Sequence, residues 1–385
     1  MKSTFYHEKE TKKKLCHFIE TTDILSMGVQ CNKFEKGFSE YQNRKYSIMF
    51  NSGSSANLAL IQSLVNLNIL SKDDLVGFSA LTWATNVMPL IQMNLNPIAI
   101  DVSKSNLNVT SKYLLDVLKT HKLKMLMLTN LLGFCGDIDE IVKICNDNNI
   151  LLIEDNCVSL GSVFNNKKLG NFGVASTFSF FVGHHLSTIE GGMVCTDDEE
   201  LHNMLLMVRA HGWDRNLDMV SKQRLKSDNA IDDFYSNYTF YNLGYNLRPT
   251  EINGFIGVEQ LKYIDEVVTL RENLFKKYQK HTRLNDDLVS LDLSHMSLVS
   301  NFAYPLIFKN KSLFEKYKKK FIESNIEIRP IVAGSIEKQP FFKKLFNNEV
   351  RCKNSSEVHH LGFYIPNNPE LTEDEIAIIC GLLDS

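Results

Sequence analysis

No stretch of this 385-residue chain approaches the roughly 18 consecutive apolar residues that a membrane-spanning helix requires. Its first fifteen residues, MKSTFYHEKETKKKL, are charged and have no signal-peptide core behind them, so a cytoplasmic protein is expected. Surplus positive charge is lacking as well. Against 42 basic side chains stand 45 acidic ones, a formal net charge of −3, which leaves nothing to neutralise a phosphate backbone and sets nucleic acid aside as a partner. Clustered cysteine is the third absence. The eight cysteines (Cys16, Cys31, Cys135, Cys145, Cys157, Cys195, Cys352 and Cys380) are scattered with no C-x-x-C pair, which argues against a disulfide framework, a structural zinc and an iron–sulfur centre. No metal is expected.

What is present is the composition of a chain able to bury a sizeable core, 44% apolar and 23% charged, with no internal repeat. The length points to two domains, since one core rarely grows past about 250–300 residues. From about residue 46 to residue 200, contiguous apolar runs alternate with helical stretches. The runs are 47–50, 75–78, 97–100, 125–128, 150–153, 178–181 and 192–195, as expected of strands covered on both faces. This is the α/β pattern of a mixed, mostly parallel sheet wrapped by helices. A long helical segment, Glu251 to His281, then a strand at 302–307, a lysine-rich helix around Leu313–Glu323 and a short IEIRPIV read as a smaller C-terminal α+β domain. The expected division is therefore 1–252, with an N-terminal arm, and 253–385. The lysine runs 12–14 and 318–320 read as solvated helix faces.

In such sheets ligands sit at the carboxyl ends of the strands. Four segments place polar groups there. Asn51-Ser52-Gly53-Ser54-Ser55-Ala56-Asn57 leads from a strand into a helix, which makes either a phosphate cradle or an ordinary N-cap. Glu154-Asp155-Asn156 ends the run ILLI; a carboxylate there can hold a proton on a ring nitrogen, bind a metal or cap the next element. Trp83, in ALTWATN, can stack on a planar ring or merely pack. The fourth segment is STFSFFVGHHLSTIEGGMVCTDD, residues 176–198.

Together these segments resemble the DegT/DnrJ/EryC1/StrS family of pyridoxal-phosphate (PLP) sugar aminotransferases, from GVQCNKFEKGF near the start to IEIRPIVAG. The resemblance implies the aspartate aminotransferase-like fold type I. It implies that Asp155 pairs with the pyridine nitrogen, Trp83 stacks on the ring, and Gly53, Ser54, Ser55 and Ser179 hold the phosphate. Asn246, in GYNLR, matches a residue that reaches the phosphate from the neighbouring subunit, so a homodimer with a shared site is implied. The family's fourth segment reads S-F-x-x-x-K-N-x-x-x-x-E-G-G, its lysine tethering the cofactor. Counting back six residues from Glu190 puts His184 at the lysine's position and His185 at the asparagine's.

An imidazole forms no stable imine with an aldehyde, but it accepts and returns a proton at neutral pH. The neighbouring Lys167 and Lys168 lie in a polar turn that the resemblance places away from the cofactor. A lysine-to-histidine change suits elimination better than amine delivery, and the sugar 3-dehydratases of this family carry it. One branch of these uses an iron–sulfur cluster and clustered cysteines, which are absent here. GHHLSTIEGGMV and RAHGWDRN resemble the other branch, which acts on GDP-4-keto-6-deoxy sugars with pyridoxal or pyridoxamine 5'-phosphate and L-glutamate. The implied reaction removes the C3 hydroxyl to give a 4-keto-3,6-dideoxy sugar for surface polysaccharide. His211 would be a second active-site histidine, and Arg215, Arg248 and Arg329 would meet carboxylate or diphosphate. Val158 departs from the family, which carries Gln, His or Glu there; this leaves the sugar open between a mannose-derived hexose and a 6-deoxy-heptose. The alternatives are a sugar-nucleotide aminotransferase and a catalytically silent homologue.

Overall fold

The computed structural model describes residues 3–346 and 351–384. Seven strands form one sheet: β1 (Tyr46–Phe50), β2 (Leu75–Ser79), β3 (Asn96–Ile100), β4 (Met125–Thr129), β5 (Leu151–Asp155), β6 (Ala175–Ser179) and β7 (Gly192–Thr196). Their spatial order is β1-β7-β6-β5-β4-β2-β3. Pairing is parallel from β3 to β6, while β7 alone is reversed, antiparallel to both β6 and β1. Strands β1 to β6 therefore all end on the same edge, where β7 begins.

Strand alternation feeds two cores. Leu126 and Leu128 of β4 point into one cluster with Leu152, Phe134 and Ile138, whereas Met125 and Met127 point into the other with Ile153, Leu60 and Leu205. Burial on both faces explains why these strands read as unbroken apolar runs. A third cluster, with Phe34, Phe38, Phe178, Phe180 and Met193, lies under the helix Val29–Gln42 and the helix Ile264–Thr282.

Two sequence expectations are corrected. The strand read at 178–181 is Ala175–Ser179. Its centre is Ser176 and Thr177, both fully buried, so an apolar search slides past it onto Phe180 and Phe181. The segment from Glu251 to His281 is two helices, Glu251–Leu261 and Ile264–Thr282. Between them Tyr263 packs against the rings of Tyr6 and His7 of the N-terminal arm, and the chain changes direction without any glycine or proline to announce it.

The C-terminal sheet places Gly362–Pro366 between Ala303–Ile307 and Arg329–Pro330, all antiparallel. From there the chain returns to the large sheet: Leu81 bridges Ser335, and Ile336 N–H donates to Ala80 O at 2.9 Å. The second core cluster runs continuously from β2 to Ile336 and Phe342. No helix among the described residues is long and apolar enough to cross a membrane.

Candidate active site

The carboxyl edge of the sheet is built first by the turn after β1. Ser52 caps the helix Gly53–Asn66, its hydroxyl accepting Ser55 N–H at 3.0 Å. Gly53 is required by packing, since a Cβ there would lie 2.7 Å from Ser179 Cβ and 3.2 Å from Cys157 Sγ. The helix start thus rests directly on the end of β6. Its first free N–H groups and positive dipole end meet the Ser54 and Ser55 hydroxyls at the surface, a combination suited to a phosphate.

Glu154 and Asp155 occupy opposite faces of β5 and do different work. Glu154 is fully buried and accepts the backbone N–H groups of Gly170, Phe172 and Gly173 and the Asn130 amide, so it ties down the loop before β6. Asp155, 3% exposed, accepts the Asn57 side-chain amide at 3.1 Å and that of Asn86 at 2.9 Å on Oδ2, and Cys157 N–H at 2.9 Å on Oδ1. Asn86 closes the short 3-10 turn Ala84–Asn86 that follows Trp83, and Asn86 N–H donates to Trp83 O at 3.1 Å. One turn therefore carries both a donor to Asp155 and an indole that is 53% exposed. Ser54 Oγ lies 3.5 Å from Thr85 Oγ1 of the same turn, which draws the Ser52–Ser55 turn and the Trp83 turn together.

His184 stands on the turn between β6 and β7. Its Nδ1 is 3.3 Å from Ser179 O. A carbonyl can only accept, so Nδ1 carries the hydrogen and Nε2 is left with the lone pair. The ring edge packs on Phe302 at 5.2 Å and Phe181 at 6.0 Å. Burial, with Arg271 nearby, pulls its pKa down to about 4 against the opposing bond to Ser179, so the imidazole is neutral at physiological pH. His185 is buried, contacts Ser300 O at 3.1 Å through Nε2, and titrates well below the usual range, again through burial and then Arg271.

The sequence matches the DegT/DnrJ/EryC1/StrS aminotransferase family over residues 6–384. The chain belongs to that family. Among curated family members it is similar to GDP-4-keto-6-deoxy-D-mannose 3-dehydratase of Yersinia pseudotuberculosis, at 35% identity over 376 residues, 94% of this chain and 92% of the relative. It is similarly close to the protein of that name from Escherichia coli O55:H7, at 36% identity, covering 94% and 93%. The E. coli GDP-4-keto-6-deoxy-D-mannose-3-dehydratase structure with bound hydrated PLP superposes with a TM-score of 0.89 at 32% identity, covering 97% of this chain and 96% of that one.

Within the family fold the other sequence candidates divide. Asn246 and Arg248 are exposed and joined, Arg248 Nε donating to Asn246 Oδ1 at 2.9 Å. Leu247 between them accepts Asn51 N–H at 3.0 Å, so both flank the turn after β1. Arg329 pairs with Glu327 and lines a groove of about 520 Å³ with Phe181, Gly183, Arg271 and Tyr364. His211 (φ 62°) packs its ring on Trp213, and Arg215 stacks 3.6 Å over Trp213 and donates to Asn237 O. His211 N–H also donates to Tyr245 O at 2.7 Å, next to Asn246. Lys168 is drawn onto Tyr41, with Nζ 3.4 Å from the ring centre, and Lys167 sits over Phe172. Val158 is 9% exposed and offers no polar group, and Glu190 is exposed, its main-chain oxygen accepting Thr188 Oγ1 and the Asn253 amide.

Sequence reasoning missed Asn57, Asn86, Cys157 and Arg271. The first two lie inside motifs already singled out, two residues after Ser55 and three after Trp83. An amide alone carries no signature of partnership with a carboxylate 98 or 69 residues away.

Proposed function

We propose that this chain is a PLP- and glutamate-dependent 3-dehydratase of a GDP-4-keto-6-deoxy sugar, yielding the 4-keto-3,6-dideoxy sugar for surface polysaccharide. The observation that carries it is His184, neutral and tautomerically fixed, at the tip of the turn next to Ser179, where the family's lysine is expected. The residues fit the cofactor: the Gly53 cradle admits no side chain, Asp155 is buried yet bonded only by neutral donors, and Trp83 exposes its face beside it. Ser54, Ser55 and Ser179, with the helix N–H groups, would hold the phosphate. Asp155 would keep a proton on the ring nitrogen, and Trp83 would cover one ring face. When bound, the cofactor supplies an electron sink and, once glutamate has reacted, a primary amine.

His184 provides no amine for a covalent tether, so retention rests on the phosphate turn, Asp155 and Trp83. Its Nε2 accepts the proton removed when the sugar is activated. The resulting imidazolium returns that proton to the departing C3 hydroxyl. Overall, glutamate is oxidised to 2-oxoglutarate, sugar C3 exchanges its hydroxyl for hydrogen, and nitrogen leaves as ammonia. Arg248 and Arg329, with Arg215, are the proposed partners of substrate carboxylate and diphosphate, and His211 the second histidine.

The helix Met219–Asp228 buries none of its residues against its own chain, and Val220, Phe234, Tyr238 and Leu243 are each at least 73% exposed. Such an apolar surface supports a homodimer in which this segment, Asn246 and Arg215 complete a partner's site. We further propose residues 1–252 as the cofactor-binding part and 253–385 as the smaller part, and the cytoplasm, which suits eight free thiols, as the location.

The test is incubation with PLP, glutamate and GDP-4-keto-6-deoxymannose, with the corresponding heptose in parallel. Equal amounts of 2-oxoglutarate and ammonia, and a sugar short of one oxygen, support the proposal. A stable aminated sugar in place of ammonia would make the chain an aminotransferase, and no turnover of bound PLP by glutamate would make it a silent homologue.

A further inference from the structure

The donors around Asp155 are an unusual set. Two of the three are side-chain amides, and they come from different elements. Asn57 sits in the helix that opens with the phosphate turn, and Asn86 ends the turn that Trp83 begins. Both meet Oδ2, while Cys157 N–H meets Oδ1. A carboxylate accepts in about four directions, so one further donor completes this one. Asn86 is itself fixed, its amide also reaching Thr129 Oγ1 at 3.1 Å, and Thr129 Oγ1 lies 2.6 Å from Thr82 Oγ1.

The arrangement has a cost. Oδ1 of Asn57 and Oδ1 of Asn86 are both buried with no hydrogen-bond partner. A leucine would fill either space with no orphaned oxygen. What leucine lacks is the N–H. The neutrality of the donors also matters: a lysine or arginine would stabilise the Asp155 charge and at the same time cancel its field, whereas two amides stabilise the charge and leave the field intact for a cationic partner.

We infer that Asn57 and Asn86 are positioning residues for the cofactor: they fix the plane of the Asp155 carboxylate, so that the pyridine nitrogen it would meet stays protonated. They also register the phosphate turn and the indole turn on one carboxylate. This rests on the cofactor reading above and adds to it the two side chains that set the ring's protonation state.

The experiment is a pH titration of PLP labelled with 15N in the ring, bound to the full-length protein and followed by its nitrogen chemical shift. In the unchanged protein the ring nitrogen stays protonated through neutral pH. In Asn57→Leu and in Asn86→Leu it loses that proton at a pH lower by roughly one unit, with roughly tenfold weaker PLP retention in equilibrium dialysis. Asn57→Ala and Asn86→Ala are the second pair, for use if either leucine variant fails to fold, with the same shift expected. Variants that titrate as the unchanged protein does overturn the inference and leave the cofactor reading standing. If the unchanged protein takes up no PLP, both fall.

Discussion

Arg271 Nη2 reaches the main-chain carbonyl of His184 at 3.5 Å. The same buried guanidinium holds Phe302 O at 3.0 Å and Asn367 O through Nη1, so each of these three acceptors is a neutral carbonyl. Its charge is therefore felt by the histidines beside it. Burial is the largest cause, the bond to Ser179 O opposes it, and Arg271 adds to it, so burial and Arg271 both favour neutral His184.

The pH dependence follows. With a pKa near 4, His184 remains an acceptor at pH values where an ordinary histidine would be protonated, so the acid limb of the glutamate half-reaction should fall well below the ordinary value of 6.5. Arg271→Met removes a repelling cation, raises the His184 pKa and moves that limb to higher pH. The displacement stops short of 6.5, because burial remains. Stopped-flow absorbance of bound PLP against pH checks both, and an inflection near 6.5 in the unchanged protein would contradict the assignment.

His184→Lys should restore a primary amine at the tip of the turn. The expected outcome is a cofactor that borohydride fixes to the protein, with the added mass located on residue 184 by peptide mapping. Elimination of the sugar hydroxyl should fall by at least 100-fold, on the order of a lost general base. Absence of any fixed cofactor would show that this side chain does not face the ring.

Gly53→Ala drives a methyl group against Ser179 and Cys157. Overpacking at so rigid a contact costs roughly 1–3 kcal/mol, and the phosphate turn is the element that must move. PLP retention should fall by at least tenfold in dialysis, while far-UV circular dichroism stays unchanged.

How far the sequence carried this site can be seen at its individual residues. Strands β1 to β5 and β7 were legible to within two residues at each end because their apolar runs are buried on both faces. Strand β6 was not, since Ser176 and Thr177 are as buried as any leucine. The Ser52–Ser55 turn, Trp83, Asp155 and His184 were singled out because each follows a strand. Glu154 and Asp155 could not be told apart in the sequence; their opposite orientation on one strand gives the first a loop to hold and the second the Asn57 and Asn86 amides. Arg271 was invisible for a plainer reason: a charged residue in a long helix reads as surface, and only tertiary packing buries it.

Glu251 caps a helix other than its own. It accepts Gly28 N–H at 2.8 Å, Gln30 N–H at 2.7 Å and Cys31 N–H at 3.0 Å, closing the start of Val29–Gln42. Glu251→Ala leaves these donors without acceptors and should destabilise the fold by about 3 kcal/mol, with Glu251→Gln intermediate. Chemical unfolding of the three proteins at one concentration checks the order.

Val220→Asp combined with Phe234→Asp places two charges on the exposed apolar surface of 219–243. Sedimentation should show a monomer where the unchanged chain gives a dimer. Activity should fall with the dimer, and recover when the variant is mixed with an excess of a His184→Ala chain if the association is only weakened. A monomer that stays fully active would remove the shared site.

The reversal of β7 has a consequence for how this chemistry can arise. Because the chain leaves β6 and returns at once beside it, residues 180–191 are clasped at their base by main-chain bonds, Phe180 N–H to Gly191 O and Thr188 N–H to Phe180 O, both 2.9 Å. None of those bonds involves the side chain at 184. The turn behaves as a socket: the side chain mounted at 184 can be exchanged without breaking the bonds that clasp its base, and the proposed change from a tethering lysine to a proton-carrying histidine is such an exchange.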